Sequence, residues 1–241
     1  MSTATPASSP IKNVVLVCVA VAAIGFAAWN VYQQLQPETY LFEISDVPRE
    51  TNRDNVTAEQ LLDLQLVDSQ GQAVSLRERQ GEQHLVIVFT RGSLATVTAA
   101  NKGPQLPQLP NVCPYCSTQV SGIASYLPQF AEQQATVVVV FPVTKQMESQ
   151  DAATFAGSLP QHNNRSPIPV LLDLQLRAVE QLGLRAHLAR PASFIIDKAG
   201  NLRFAYVADQ GSADRPSGGE LLRHVRQINA EFVPTEPTAP K

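Results

Sequence analysis

Two cysteines, Cys113 and Cys116, stand two residues apart in the stretch NVCPYCS at positions 111–117. Thiols at this spacing can close a small disulfide and open it again, and each such cycle moves two electrons. The reactive form of a thiol is its thiolate, so the surroundings of each sulfur decide which one attacks. The motif therefore indicates thiol–disulfide chemistry.

The segments on either side of the motif predict how it is held. Residues 84–89 are rich in β-branched and aromatic side chains and predict a strand, whereas apolar residues from 120 to 131 recur at helical spacing. A helix that begins near the motif places Cys113 at its N-terminal end, where unpaired backbone N–H groups favour a thiolate. Cys116 then lies one turn further in and is less exposed. We therefore expect Cys113 to attack and Cys116 to resolve.

Three other interpretations of the pair stay open. A structural disulfide at this spacing closes too short a loop to constrain the unfolded chain strongly. A zinc site needs two more ligands, whereas the only other cysteine, Cys18, lies in an apolar segment and the four histidines are scattered. Two inert thiols that merely pack are the third alternative. The strand before the motif and the helix after it favour the redox dithiol, with no metal and no cofactor.

Composition describes an ordinary globular protein with additions at its ends. The 241 residues suit one domain, and a hydrophobic content of 44% with a net charge of −3 offers no basic surface for nucleic acid. Three cysteines are too few for a disulfide scaffold. We therefore expect no nucleic-acid partner.

The N-terminal part predicts a membrane address. Residues 1–10 predict disorder, and residues 11–32 predict a transmembrane signal-anchor because the run from Val14 to Trp29 carries no charge. Trp29 and Tyr32 are candidate interfacial anchors, and Lys12 before the segment weakly places the N-terminus in the cytoplasm. A cleaved secretory signal is the alternative. Both interpretations export the rest of the chain, which in a bacterium means the periplasmic side of the inner membrane.

The remaining chain reads as one domain between polar segments. Residues 33–57 predict a linker, and residues 233–241 predict a disordered tail. The alternation from Leu61 to Val67, the turn signal at 68–71 and the segment 73–76 predict a hairpin. Strands are predicted at 84–90, 136–141, 169–172, 193–197 and 202–207, and helices after the motif, at 148–159, at 174–182 and from Ser217. Glu220, three residues after Ser217, predicts a capping box.

Residues 91–112 form a long stretch with glycines and prolines and little pattern. A loop of this length inside a compact domain is usually functional or mobile. A lid or substrate-contacting flap and a tolerated surface insertion are both compatible with it.

Alternating strands and helices that end in a hairpin and a helix predict an α/β fold, a mixed central sheet flanked by helices. Sites on parallel strands lie beyond the strands' carboxyl ends. The cysteine pair follows the carboxyl end of the 84–90 strand, where such a site is expected.

Over residues 58–232 the chain resembles the thioredoxin superfamily, in particular its redoxin branch of alkyl hydroperoxide reductase and thiol-specific antioxidant (peroxiredoxin-like) proteins. The motifs that carry the resemblance are VFTRG at 88–92, CPYC at 113–116 and RPASFIID at 190–197 with a glycine at 200. The resemblance implies a thioredoxin-like fold with 91–112 as an inserted loop.

The resemblance also implies roles for residues beside the cysteines. It implies that Pro191 is a cis-proline that faces the dithiol and helps to hold an extended substrate strand; an ordinary trans proline that starts an edge strand is the alternative. It also implies that Pro114, Tyr115 and Arg190 belong to the same substrate-binding region. The pattern of typical peroxiredoxins, a proline seven and a threonine three residues before the attacking cysteine, is absent because Leu106 and Pro110 occupy those positions.

The sequence therefore predicts a membrane-anchored, exported thiol–disulfide oxidoreductase that uses Cys113 and Cys116. Its expected partners are a disulfide-bearing protein or small thiol substrate and a membrane or soluble thiol redox partner. A thiol-dependent peroxidase and a redox-inert binding module with a thioredoxin fold are the alternatives.

Overall fold

The computed structural model describes residues 44, 48–93, 113–144, 149–159, 168–186, 189–209 and 214–231. The predicted membrane segment 11–32, both predicted disordered ends and nearly all of the loop 91–112 lie outside these residues. Within them, no helix is long and apolar enough to cross a membrane. The helices are α1 (Ala58–Leu62), α2 (Pro114–Ala124), α3 (Leu127–Glu132), α4 (Ser149–Ser158), α5 (Arg177–Gln181) and α6 (Gly218–Glu231), with one 3-10 turn at Arg77–Arg79.

Seven strands form one mixed sheet. They are β1 (Leu66–Val67), β2 (Ala73–Val74), β3 (His84–Phe89), β4 (Ala135–Val143), β5 (Val170–Leu174), β6 (Ala192–Ile196) and β7 (Leu202–Val207). Their spatial order is β2-β1-β5-β4-β3-β6-β7. The central strands β3, β4 and β5 run parallel, while β6, β7, β1 and β2 pair antiparallel to their neighbours.

The period-two pattern of β3 divides the core into two layers. Leu85, Ile87 and Phe89 pack on one face of the sheet with residues of α1 and α5. Val86 and Val88 pack on the other face with α2, α3, α4 and α6. Because both faces of the parallel strands are covered, β3 and β4 are nearly continuous apolar runs, as such strands require. The predicted mixed sheet flanked by helices is confirmed.

The start of the domain differs from the sequence prediction. Leu61 and Leu62 belong to α1, whereas the predicted hairpin is the shorter pair β1–β2, in which Leu66 faces Val74. The reason is a capping box: the Thr57 side chain accepts from the backbone N–H of Gln60, and the Gln60 side chain accepts from the N–H of Thr57. This pair begins a helix whose buried side chains follow helical spacing.

The final helix, α6, is predicted correctly except at its cap. Ser217 accepts from the backbone N–H of Glu220 at 3.2 Å, which is half of the predicted capping box. The other half is missing because the Glu220 carboxylate bonds the backbone N–H and the guanidinium of Arg49 instead. Glu220 therefore joins two distant segments rather than closing its own helix end.

Contacts of the folded domain extend into the segment that the sequence assigns to the linker. The Asn52 side chain donates to the carbonyl of Val207 and accepts from its N–H, both at 2.9 Å. The backbone N–H of Asn52 donates to the carbonyl of Ala205, whose own N–H donates to Thr51 Oγ1. Residues 51 and 52 thus lie along β7 as part of the domain.

Candidate active site

Strand β3 leads the chain to the site through Thr90 and Arg91. Gly92 follows with φ +81°, and a Cβ atom there would lie 2.5 Å from the carbonyl oxygen of Pro142 in β4. Only glycine avoids both the strained backbone and this clash. The turn therefore keeps Arg91 beside the carboxyl end of β3, where the sequence predicts the site.

Helix α2 presents the cysteine pair as predicted. Cys113 is the N-cap residue, with extended backbone angles, and Pro114 occupies the first turn, where a missing N–H costs nothing. The backbone N–H of Cys116 donates to the carbonyl of Cys113 at 2.9 Å. One sulfur thus stands at the helix tip and the other lies one turn inside.

Both thiols are free and more buried than the sequence suggests. Cys116 is completely buried and Cys113 is only 2% exposed, because both pack in the core layer of α2, α3, α4 and α6. The expected difference in exposure between the two cysteines is therefore only 2%. Cys113 therefore presents very little surface to a protein-sized substrate in this structure.

The pKa values of the two thiols are shifted in opposite directions. A hydrogen bond from the Cys116 thiol lowers the pKa of Cys113 to about 6 against the effect of burial, with further help from the charge of Arg215 and the backbone N–H of Cys116. Burial raises the pKa of Cys116 well above the ordinary thiol value, and the hydrogen bond to Cys113 and the charge of Cys113 raise it further. At neutral pH the negative charge of the pair therefore resides on Cys113.

Two donors that the sequence did not identify contact the inner sulfur. The backbone N–H of Arg91 and the Nη1 atom of Arg215 each lie 3.3 Å from Cys116 Sγ. Arg215 is 1% exposed and also donates to Gln119 Oε1 at 3.4 Å. No spacing in the sequence could reveal Arg215, because 99 positions separate it from Cys116.

The predicted substrate-contacting residues fall into two places. Pro114 and Tyr115 are half-buried beside the thiols on α2. Arg190 and Pro191 line a cavity of about 240 Å³ together with Arg91, and among the described residues neither thiol lines it. Arg91 is thus the link between the cavity and the sulfurs.

Pro191 does not have the cis geometry that the family resemblance implies. All peptide bonds of the described residues are trans, the Arg190–Pro191 bond among them. Pro191 is buried and extends the β6–β7 pairing, since its carbonyl accepts from the N–H of Ala208 at 2.9 Å. This extended position suits the trans bond, which is the more stable isomer of X-Pro.

The histidines of the described core are structural. His84 is fully buried on β3 and its Nε2 atom lies 2.8 Å from Asn229 Oδ1, and burial lowers the pKa of its ring. In the described part of the chain, no three histidine, cysteine or carboxylate side chains group closely enough to hold a metal ion.

A mixed sheet with a dithiol at the N-terminus of the helix after its central strand defines a thioredoxin-like redox protein. The sequence matches the AhpC/TSA family over residues 57–205, which is more than half of the chain. The protein belongs to this family of peroxiredoxin-like oxidoreductases. No curated protein sequence matches the chain.

Several solved structures are similar in fold. They include the mitochondrial 2-Cys peroxiredoxin of Plasmodium falciparum (16% identity, 79% of this chain and 98% of that chain, TM-score 0.49). Peroxiredoxin Q of Xanthomonas campestris is similar at 16% identity over 73% of this chain and 99% of that chain, with a TM-score of 0.49. AhpC of Mycobacterium tuberculosis is similar at 18% identity over 67% and 78%, with a TM-score of 0.45.

Proposed function

We propose that the protein is a thiol–disulfide oxidoreductase, tethered to the inner membrane by its N-terminal segment, with its catalytic domain on the periplasmic side. Cys113 is the attacking thiol and Cys116 the resolving thiol. The substrate is a disulfide-bearing protein or a small disulfide, and a membrane or soluble thiol partner returns the dithiol to its starting state.

The division of acidity between the two sulfurs carries this proposal. A pKa of about 6 leaves Cys113 mostly ionised at neutral pH. An attacking thiol works best when its pKa lies near the ambient pH, because a much lower value makes it a poor nucleophile. Cys116 stays protonated and buried until it is needed. This is the arrangement that exchange through a mixed disulfide requires.

The reaction balances within the dithiol. The Cys113 thiolate attacks one sulfur of the substrate disulfide, and the other sulfur leaves with the electron pair and takes up a proton. Cys116 then attacks Cys113 Sγ and releases the second substrate thiol. The substrate gains two electrons, and the protein ends with a Cys113–Cys116 disulfide. The reverse sequence oxidises a dithiol substrate.

The cavity beside Arg91 offers a place for the substrate chain. Arg190 pairs with Asp209 at 2.8 Å on the rim of this cavity, where both side chains are well exposed, so a polar substrate group can compete for either one. Pro191 supplies a buried apolar floor. Pro114 and Tyr115 lie on the helix that carries the thiols, and we assign them to the same substrate surface.

Covalent trapping tests the proposed function. Cys116→Ser leaves the attacking thiol in place but removes the resolving one, so it should accumulate mixed disulfides with periplasmic proteins. Non-reducing electrophoresis of an exported extract, followed by identification of the bound proteins, measures this. Cys113→Ser is the matched control and should trap nothing. Equal capture by both variants, or by neither, contradicts the proposal.

A thiol peroxidase is the second candidate, and membership of a peroxiredoxin-like family favours it. In that reaction the Cys113 thiolate attacks a peroxide oxygen, and Cys116 condenses with the resulting sulfenic acid. Stopped-flow mixing of the reduced protein with hydrogen peroxide distinguishes the two. A rate no greater than that of free cysteine removes the peroxidase. A redox-inert binding module would instead keep its partners after both cysteines had been replaced by serine.

A further inference from the structure

Arg215 is a buried guanidinium placed against the inner sulfur of the pair. Its Nη1 atom lies 3.3 Å from Cys116 Sγ, and the residue is 1% exposed. A guanidinium donates hydrogen bonds and carries a fixed positive charge, but it cannot accept a proton from a thiol. The contact therefore favours Cys116 as a thiolate rather than as a thiol.

The segment that carries Arg215 is fastened to the helix that carries the cysteines. Gln119 Nε2 on α2 donates to the carbonyl of Pro216 at 2.9 Å. At the start of α6, a Cβ atom on Gly218 would lie 2.9 Å from Ile123 Cα, so the backbones of α6 and α2 touch there. Arg215 is thus held in a fixed position relative to Cys116, and it does not reach the sulfur from a mobile surface.

The influences on Cys116 change during the proposed reaction. In the reduced protein, burial, the hydrogen bond to Cys113 and the charge of Cys113 raise the pKa of Cys116, while Arg215 and the N–H of Arg91 lower it. When Cys113 enters a mixed disulfide it loses its charge, so both effects of Cys113 end. Burial still raises the pKa of Cys116, and the two lowering influences also remain. The pKa of Cys116 is therefore lower in the mixed disulfide than in the reduced protein, at the stage when Cys116 must attack.

We propose that Arg215 stabilises the Cys116 thiolate within the mixed disulfide and thereby promotes the resolving step. This inference rests on the thiol–disulfide function proposed above. The Cys116 thiol loses its proton, which ends on the departing substrate sulfur, and the Cys116 thiolate attacks Cys113 Sγ. The bond from Cys113 to the substrate sulfur breaks, and the substrate leaves with the electron pair and takes up a proton. Arg215 thus lowers the free energy of the Cys116 thiolate without itself accepting the proton.

Rapid-quench kinetics with glutathione disulfide test this role. The chain of 241 residues is purified in detergent with Cys18 replaced by alanine, and the mixed disulfide is followed by mass spectrometry after acid quenching. Arg215→Met should slow the decay of the mixed disulfide about tenfold or more, since one pKa unit changes the thiolate fraction tenfold. Formation should slow less, because the hydrogen bond from Cys116 to Cys113 remains. Arg215→Lys keeps the charge and should restore most of the rate.

Arg226→Met is the matched control, because Arg226 is exposed on α6 and its loss changes the net charge equally. This control should resolve the mixed disulfide at the wild-type rate. If Arg215→Met unfolds, Arg215→Gln is the second variant. Glutamine is neutral but keeps an N–H donor that can bond to Gln119, and it should show the same delay.

A titration supplies a readout that a merely structural role would not move. In the Cys113→Ser background the only remaining motif sulfur is Cys116, and its thiolate absorbance against pH gives its pKa. Adding Arg215→Met or Arg215→Gln should shift this titration to higher pH by about one unit or more. An unchanged titration overturns the inference.

The outcomes separate this inference from the proposed function. A wild-type protein that forms no mixed disulfide with glutathione disulfide contradicts the function, and the titration still decides whether Arg215 stabilises the Cys116 thiolate. A wild-type protein that forms the mixed disulfide, together with an Arg215→Met protein that resolves it equally fast, overturns the role of Arg215 while the function stands.

Discussion

Two arginines that flank the start of α6 have different counter-charges. Arg49 bonds the carboxylate of Glu220 at 2.9 Å and that of Asp214 at 3.4 Å. Arg215, the residue after Asp214, donates to the sulfur of Cys116. A carboxylate is negative throughout the neutral range, whereas a buried sulfur is negative only in one state of the reaction. The first pair therefore contributes to the stability of the fold, and the second to its reactivity.

The first arginine also supports the second. Asp214 accepts from the Tyr206 hydroxyl at 2.6 Å as well as from Arg49, and these bonds fix the backbone directly before Arg215. The ion pair between Arg49 and Asp214 thus holds the segment that carries Arg215 next to Cys116. Substitutions of the carboxylates Asp214 and Glu220 should mainly lower the free energy of unfolding. Substitutions of the thiols Cys113 and Cys116 should mainly change the rates of thiol reactions.

The largest expected effect is on the reactivity of Cys113. Because the pKa of Cys113 is about 6, the rate of its alkylation by iodoacetamide should rise with pH to a half-maximum near pH 6. An ordinary thiol has its half-maximum about two to three pH units higher. Mass spectrometry of the labelled protein measures the profile, and Cys113→Ser is the control that should lose the early phase. A half-maximum above pH 8 would contradict this view of the site.

The same acidity should appear as pH-dependent stability. The folded-state pKa of Cys113 lies below its unfolded value, so its contribution is complete above the unfolded pKa and is lost as the pH falls through about 6. Between these limits the unfolded state binds more protons, and the free energy of unfolding of the reduced protein should rise by on the order of 1 kcal/mol per pH unit. Urea unfolding followed by circular dichroism measures this against the Cys113→Ser/Cys116→Ser double variant. Parallel pH profiles for the two proteins would be inconsistent with a depressed pKa.

On the carboxylate side, Glu220→Gln should lower the free energy of unfolding by about 2 kcal/mol, because it leaves the largely buried guanidinium of Arg49 undercompensated. The alkylation profile of Cys113 should move little. Glu231→Gln is the matched control, since Glu231 pairs with Arg203 at an exposed position and such pairs contribute at most about 1 kcal/mol. If Glu220→Gln and Glu231→Gln lowered the free energy of unfolding equally, the buried ion pair of Arg49 would have no special role in stability.

The smallest expected effect is at Tyr206. Tyr206 is partly buried and its hydroxyl donates to Asp214, and these causes raise its pKa to about 12. Tyr206→Phe removes one hydrogen bond and should cost about 1 kcal/mol of unfolding free energy. The resolving rate with glutathione disulfide should stay unchanged. A large drop in that rate would show that Arg215 depends on this single bond for its position.

The fold was predictable where local pattern decides structure. The apolar runs of β3 and β4, the β6–β7 hairpin and the apolar face of α6 all follow from periodicity, and so does the place of Cys113 at a helix start. The short helix α1 was missed because its leucines also fit an alternating pattern, and only the bonds between Thr57 and Gln60 distinguish the two. Glu220 was assigned to a local cap because its partner, Arg49, is 171 positions away.

Of the site, the sequence allowed only the two cysteines and their chemistry to be predicted. The spacing of Cys113 and Cys116 indicates exchange chemistry, but the cation that contacts the inner sulfur comes from the far end of the domain. The cis geometry implied for Pro191 was wrong: the bond is trans, and the carbonyl of Pro191 continues the β6–β7 pairing. Long-range polar contacts have no periodicity in sequence, so they appear only once the sheet is assembled.

The attachment of Asn52 to β7 has a consequence for self-association. Strand β7 stands last in the sheet, and the outer backbone groups of such a strand are a template on which a second molecule can add its own strand. Asn52 occupies those groups at Val207 and Ala205. A blocked template of this kind keeps one copy of the protein from adding its own strand to the sheet of another.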